Sequence, residues 1–366
     1  MRVLPGIALA ALLLVACGEK SPIVIGYIGG LSGHAADLGT SGLNAARLAV
    51  EAQNRKGGIN GHPIQLVAED DKQDPNIAAA AFQRLAGRPV EAIIGPMTSV
   101  VAMAITPLAD QAHLLLVSPT VTTRALARRD DYLVRVISDT RIYAEASARF
   151  HTEKRHIGKF AVLYDADNQA YADSWSEDFR QSLEQYGGKV VLKLPFRASA
   201  TADFDRIAAQ AVQSGAEAVL ILGSAVDAAL MAQQIRQIDG KIQLVTSEWA
   251  ATERLTTLGG AAVEGIFTAQ FIDRDSDQPA YQQFRKLYIE RFQQEPGFSG
   301  VAGYDAANTL ITALRQRHNG ETVREAILRI GDFQGVQSPI HIDQFGDSTR
   351  PTYITVIRNG KYLRVD

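Results

Sequence analysis

The stretch VEAIIGPMTSVVAMAITPLADQAHLLLVSPTVTT, residues 90–123, carries the fold in miniature. VEAIIGP (90–96) is a short apolar run rich in β-branched residues, and LLLV (114–117) is another; each reads as a buried strand. Between them, TSVVAMAITPLADQA (98–112) is long enough for a helix. A strand, a crossover helix and a second strand make a parallel pair. Both runs end in small polar residues: Thr98 and Ser99 after the first, Ser118, Thr120, Thr122 and Thr123 after the second. Ser, Thr and Pro make turns, but they also make a cradle for a small polar ligand.

The same alternation continues on both sides. Upstream, IVIGYIGG (23–30) and PIQLVAEDD (63–71) read as strands. The helical face Leu43, Ala46, Val50 separates them and stops at Gly57-Gly58, and Asn60-Gly61 makes the turn. Ile77, Ala81, Phe82 and Leu85 line the next helix. Downstream a second series begins near Gly158: strands at 159–164, 190–196, 218–223, 242–248 and 266–271 alternate with helical faces such as Trp175, Phe179, Leu183 and Tyr186. Two helices follow, then a strand-like tail at 338–343 and 352–365 with an Asn359-Gly360 hairpin turn. One layout written twice predicts an α/β chain of two similar Rossmann-like lobes with parallel-sheet cores.

Bulk composition agrees. The 366 residues suffice for two domains; 46% are hydrophobic and 21% charged. A net charge of −3 gives no footprint for nucleic acid. The N-terminus has Arg2, then an apolar run from Val3 to Ala16, shorter than the roughly 20 residues of a spanning helix, and reads as a secretion signal over 1–16. Leu14-Val15-Ala16-Cys17-Gly18 resembles a bacterial lipobox, which makes Cys17 the lipidated first mature residue and 17–22 a tether. Cys17 is the sole cysteine, so no internal disulfide forms. The expected location is that of an exported bacterial lipoprotein, membrane-anchored through its acyl chains and facing the periplasm or the cell exterior.

In open parallel sheets ligands bind outside the carboxyl ends of the strands. There the first lobe offers hydroxyls and the free N–H groups of helix N-termini, which suit an anion. The second offers Glu248 after its fourth strand, which suits a cation. A carboxylate and an ammonium together describe an α-amino acid. Enzyme readings lack their motifs: Gly26, Gly29, Gly30 and Gly33 do not spell GxGxxG, and neither GxxxxGK[ST] nor GxSxG occurs. His151 and His156, flanked by Lys154 and Arg155, read as a solvated face rather than a metal site, and no cofactor is expected. Asp70 and Asp71 read as a capping, salt-bridging pair.

IVIGYIGGLSG, LAVEAQNRKGGINGHPIQLVAEDDKQDP, AIIGPMTS, LLLVSPTVTT, VLYDADNQAYA, ILGS, TSEW and GYDAA together resemble the branched-chain amino acid (leucine/isoleucine/valine)-binding type of ABC transporter substrate-binding protein, over essentially the whole mature chain. The resemblance implies a type I periplasmic binding protein fold: two lobes joined by three crossings, near 138–142, 269–273 and 343–348, and closing on ligand. Lobe 1 is then 23–140 plus 271–345 and lobe 2 is 141–270 plus 346–366. It implies that Ser99 holds the ligand carboxylate, as well as capping its helix, and that Thr120 and Thr122 serve the same head group. Tyr171 reaches across from the second lobe, and Glu248 takes the ammonium. Ser224 and Leu38 fall where many members carry aromatics, so the head-group site is kept and the side-chain pocket altered. Asp305, near the cleft in this fold, is a ligand contact or a cap of its own helix. The implied partners are a small-molecule ligand and the permease subunits of an importer; a sensor subunit for a signalling or envelope-assembly partner is the alternative.

Overall fold

The computed structural model describes residues 20–197 and 203–366. The first sheet is built from β1 (Ile23–Gly29), β2 (Ile64–Asp70), β3 (Val90–Ile94), β4 (Leu116–Ser118) and β5 (Leu133–Arg135), in the order β2-β1-β3-β4-β5. Every neighbouring pair is parallel. Helices α1 (Ala36–Arg55), α2 (Pro75–Ala86) and α3 (Ser99–Ala112) are the crossovers. Local chemistry starts α2 where expected: Asp74 accepts from the amides of Asn76 and Ile77, and Pro75 occupies the first turn, where its missing N–H costs nothing.

After α4 (Thr140–Arg149) the second lobe repeats the plan with β6 (Lys159–Asp165), α5 (Gln169–Gln185), β7 (Lys189–Phe196), α6 (Phe204–Gln213), β8 (Ala218–Leu222), α7 (Ala225–Ile238), β9 (Gln243–Thr246), α8 (Glu253–Gly259) and β10 (Phe267–Gln270). The chain then returns to the first lobe with α9 (Pro279–Phe292), α10 (Gly297–Gln316) and α11 (Val323–Ile330). A small antiparallel sheet follows: β11 (Asp332–Gln334), β12 (Pro339–Ile342) and β13 (Ser348–Thr349). It ends in the second lobe with β14 (Tyr353–Arg358) and β15 (Lys361–Arg364). The second sheet has the order β15-β14-β10-β9-β8-β6-β7. Its core is parallel, but β14 pairs antiparallel with both β10 and β15, so this sheet is mixed. Asn359 and Gly360, at φ 51° and 69°, make the two-residue turn between β14 and β15.

The chain therefore passes between the sheets three times, after β5, after β10 and after β13. Buried charge ties these passages together. Arg350 Nη1 lies 2.6 Å from Asp305 Oδ2, with both side chains at most 1% exposed, and Asp305 Oδ1 accepts from the Val336 amide at 2.9 Å. Arg135 donates to Asp347 through Nη2 at 2.5 Å and to the Thr123 carbonyl through Nη1 at 2.8 Å.

One expected surface is interior. His151 is 1% exposed and packs against Phe150, Phe160 and Phe267, with Nδ1 2.8 Å from the Ser147 carbonyl oxygen. Burial pushes its pKa down to about 4. It is a neutral core residue, because the end of α4 turns it inward, away from Lys154 and Arg155.

Candidate functional site

The two hydroxyl-bearing loops at the tips of β3 and β4 are stitched to each other. Ser118 Oγ donates to the Pro96 carbonyl at 2.8 Å and accepts from the Val121 amide at 3.1 Å. Thr120 Oγ1 donates to the Met97 carbonyl at 2.5 Å, and Ser99 Oγ accepts from the Thr123 amide at 3.3 Å. Thr98, with extended backbone, occupies the N-cap position of α3 without a side-chain capping bond; Ser99 is already in the first turn. That corrects the capping role expected of Ser99 and leaves its hydroxyl beside the cleft.

On the opposite bank β9 ends at Thr246, and Glu248 sits in the single 3-10 turn that follows. Helix α5 supplies two donors one turn apart. Tyr171 OH donates to Glu248 Oε1 at 3.0 Å, and Trp175 Nε1 donates to Oε2 at 2.9 Å. Thr122 Oγ1 reaches Oε1 from the first lobe at 3.5 Å. Glu248 is 2% exposed and forms no ion pair with any described residue. Burial pushes its pKa up to about 7, while the donors from Trp175, Tyr171 and Thr122 hold it down against that push.

Ser99, Thr120, Tyr171 and Glu248 line one cavity. Leu38, Met97, Trp249 and Phe298 give it apolar walls; Thr98, Ser99, Thr120, Asn168, Tyr171 and Glu248 give it polar ones. Its volume is about 10 Å³, room for one water molecule. The lobes meet around it. Asn168 Oδ1 accepts from the Val100 amide at 3.0 Å, Thr123 Oγ1 donates to the Ala170 carbonyl at 2.8 Å, and Thr252 Oγ1 donates to Asp37 Oδ2 at 2.7 Å.

Thus Leu38, Ser99, Thr120, Thr122, Tyr171 and Glu248 come together. Ser224 does not line this cavity: it caps α7, donating to Asp227 Oδ2 at 2.6 Å, and faces an adjoining cavity. Asp305 is elsewhere, committed to Arg350, because a buried carboxylate takes the nearest cation. Asp70 accepts from the Leu31 and Lys72 amides and the Ser32 hydroxyl and Asp71 from the Gln73 amide, so the pair orders its loop by hydrogen bonds, and neither forms an ion pair among the described residues. Cys17 lies outside the described residues. Trp175 was read only as a core residue, although its position four after Tyr171 puts both on one helix face. Thr98 and Asn168 stand inside the segments AIIGPMTS and VLYDADNQAYA without a ligand role assigned to them there; Phe298 carries no motif signal, and only folding brings it to the cavity. Among the described residues no helix is long and apolar enough to cross a membrane, and no three His, Cys, Asp or Glu are grouped to hold a metal ion.

Comparisons with known proteins agree with this architecture. Residues 22–361 match the periplasmic binding protein family. The Leu/Ile/Val-binding protein homolog 2 of Brucella abortus is 23% identical over 352 residues, covering 95% of this chain and 94% of its own. The branched-chain amino acid transporter substrate-binding protein LivJ of Streptococcus pneumoniae, solved with isoleucine, superposes with a TM-score of 0.86 at 25% identity, over 94% of this chain and 99% of its own. A solute-binding protein of an ABC transporter from R. palustris, solved with benzoate, has the same fold, with a TM-score of 0.85 at 20% identity over 94% of this chain and 96% of its own. The chain belongs to the periplasmic binding protein family, among relatives of the leucine/isoleucine/valine-binding type.

Proposed function

We propose that the protein is an extracytoplasmic solute receptor of an ABC importer, without turnover of its own, and that it binds an α-amino acid between its lobes. The observation that carries this reading is Glu248: a buried carboxylate, held by neutral donors, with no cation beside it among the described residues. A ligand ammonium supplies the missing charge. Opposite it, the hydroxyls of Ser99, Thr120 and Thr122 and the first-turn amides of α3 suit the ligand carboxylate. Benzoate, the ligand of one structural relative, has no cation and would leave Glu248 unpaired.

The lobes separate to admit a molecule larger than the present 10 Å³ space. Ligand then favours the closed arrangement by its differential affinity for it, and that arrangement docks on the permease. Cys17 carries the lipid anchor. Calorimetry against a panel of amino acids and simple carboxylates tests the site. Glu248→Gln and Ser99→Ala each weaken amino-acid binding tenfold or more, about 1.4 kcal/mol. Binding of carboxylates alone, or unchanged affinity in both variants, would refute the assignment.

A further inference from the structure

A second cavity, of about 170 Å³, adjoins the Glu248 cavity and shares Thr98, Asn168 and Trp249 with it. Its wall from the second lobe is acidic. Asp165 ends β6 and is 4% exposed; Asp227 stands in the first turn of α7 and is 1% exposed. Asp227 Oδ1 lies 2.9 Å from His34 Nε2 across the cleft, and Oδ2 accepts from Ser224. Asp165 accepts from the Asp167 amide at 2.9 Å and has no ion pair among the described residues. Asp167 is paired with Arg197. On the rim from the first lobe, His34 and the exposed Lys72 are the only basic lining groups among the described residues. Burial, with the nearby charges of Asp227 and Asp167, pushes Asp165 up to about 7.

A separate observation points to a ligand. Thr98, 4% exposed, lies in the wall common to both cavities, and its hydroxyl has no hydrogen-bond partner among the described residues. A buried hydroxyl left alone is costly. A polar head-group atom of a ligand that spans the two cavities would satisfy it.

We propose that the outer cavity is the side-chain subsite, and that the ligand is an α-amino acid carrying a second cationic group, an amine or guanidine. This rests on the reading of Glu248 as the ammonium site. An aliphatic side chain placed there would leave the buried Asp165, which has no ion pair among the described residues, without a counter-charge beside the His34-paired Asp227. A cation compensates both carboxylates, while its methylene stem packs on Trp249. Ser224, being small, leaves the acidic wall accessible.

The test is calorimetry of the purified protein with lysine, ornithine and arginine against leucine, valine and glutamine, with Asp165→Asn, Asp227→Asn and the isosteric Thr98→Val as variants and a thermal melt to establish that each folds. The basic amino acids bind at least tenfold tighter than the neutral ones. Each Asn variant weakens the basic ligands tenfold or more and changes the neutral ones less than twofold; Thr98→Val weakens the basic ligands several-fold. Tighter binding of leucine, valine or glutamine overturns the cationic subsite and leaves the Glu248 reading standing. Equal losses for both ligand classes in the Asn variants overturn it as well. If no α-amino acid binds, the receptor assignment itself falls.

Discussion

The indole N–H of Trp175 donates to Oε2 of Glu248 across 2.9 Å, and both groups are buried. The bond orients the carboxylate without neutralising it. Trp175→Phe keeps the ring stacked on Phe179, now 5.6 Å away, but removes the donor. A hydrogen bond to a charged group is worth about 1.5–3 kcal/mol. Affinity for an amino acid should therefore fall at least tenfold at neutral pH, read by calorimetry, and the melting temperature should fall as well, because the same bond is made in the ligand-free fold. An unaltered dissociation constant would remove Glu248 from the head-group site.

The raised pKa of Glu248 makes a stability prediction with a definite sign. The carboxyl moves from an ordinary 4.5 to about 7 in the folded chain. Between those values the folded state holds a proton that the unfolded state has lost, so this group's contribution declines as pH rises through the window. The loss is on the order of 3 kcal/mol when complete. His151 acts in the opposite direction, losing stability as pH falls from 6.5 towards its depressed value of about 4. The difference between wild type and Glu248→Gln cancels His151. Urea titrations from pH 4 to 8, without ligand, should show the variant gaining on wild type up to about pH 7 and levelling off beyond it.

Asp305 and Arg350 form a structural pair, separate from ligand binding. Asp305→Ala leaves a buried guanidinium alone and should cost about 3–5 kcal/mol. Asp305→Leu with Arg350→Met removes both charges and should recover most of that loss in chemical denaturation. Ligand affinity of the double variant should match wild type; a tenfold change would return Asp305 to the binding site.

Helices α1 and α10 meet at glycine. A Cβ on Gly303 would stand 2.6 Å from the Gly42 carbonyl oxygen, a backbone atom that cannot swing away. Gly303→Ala should destabilise by about 1–3 kcal/mol. Gly240→Ala, with open space around it, is the control and should be neutral or slightly stabilising. Equal melting temperatures for the two would show that the helices can move apart freely.

The lobes were legible because apolar runs such as Ile23–Gly29 and Ala218–Leu222 are too short for helices and fit buried strands, and each is followed by a helical face. The mixed sheet was not: β14 reads as a strand, but nothing local tells which neighbour it joins or in which direction. His151 shows the same limit, since its charged neighbours suggest solvent while the core claims its ring.

For the site, position picked out the strand-tip loops that carry Ser99, Thr120, Thr122 and Glu248, because the topology of a parallel sheet puts those tips at the cleft; the ligand role of each residue came from the family resemblance. Partnership was decided only in three dimensions. Trp175 turns from core filler into the donor that holds Glu248, and Asp305 turns from a possible ligand contact into the counter-charge of Arg350, 45 residues further along the chain. Sequence spacing determines which way a side chain faces on its own element; hydrogen bonds and ion pairs between distant elements depend on distances that only packing sets.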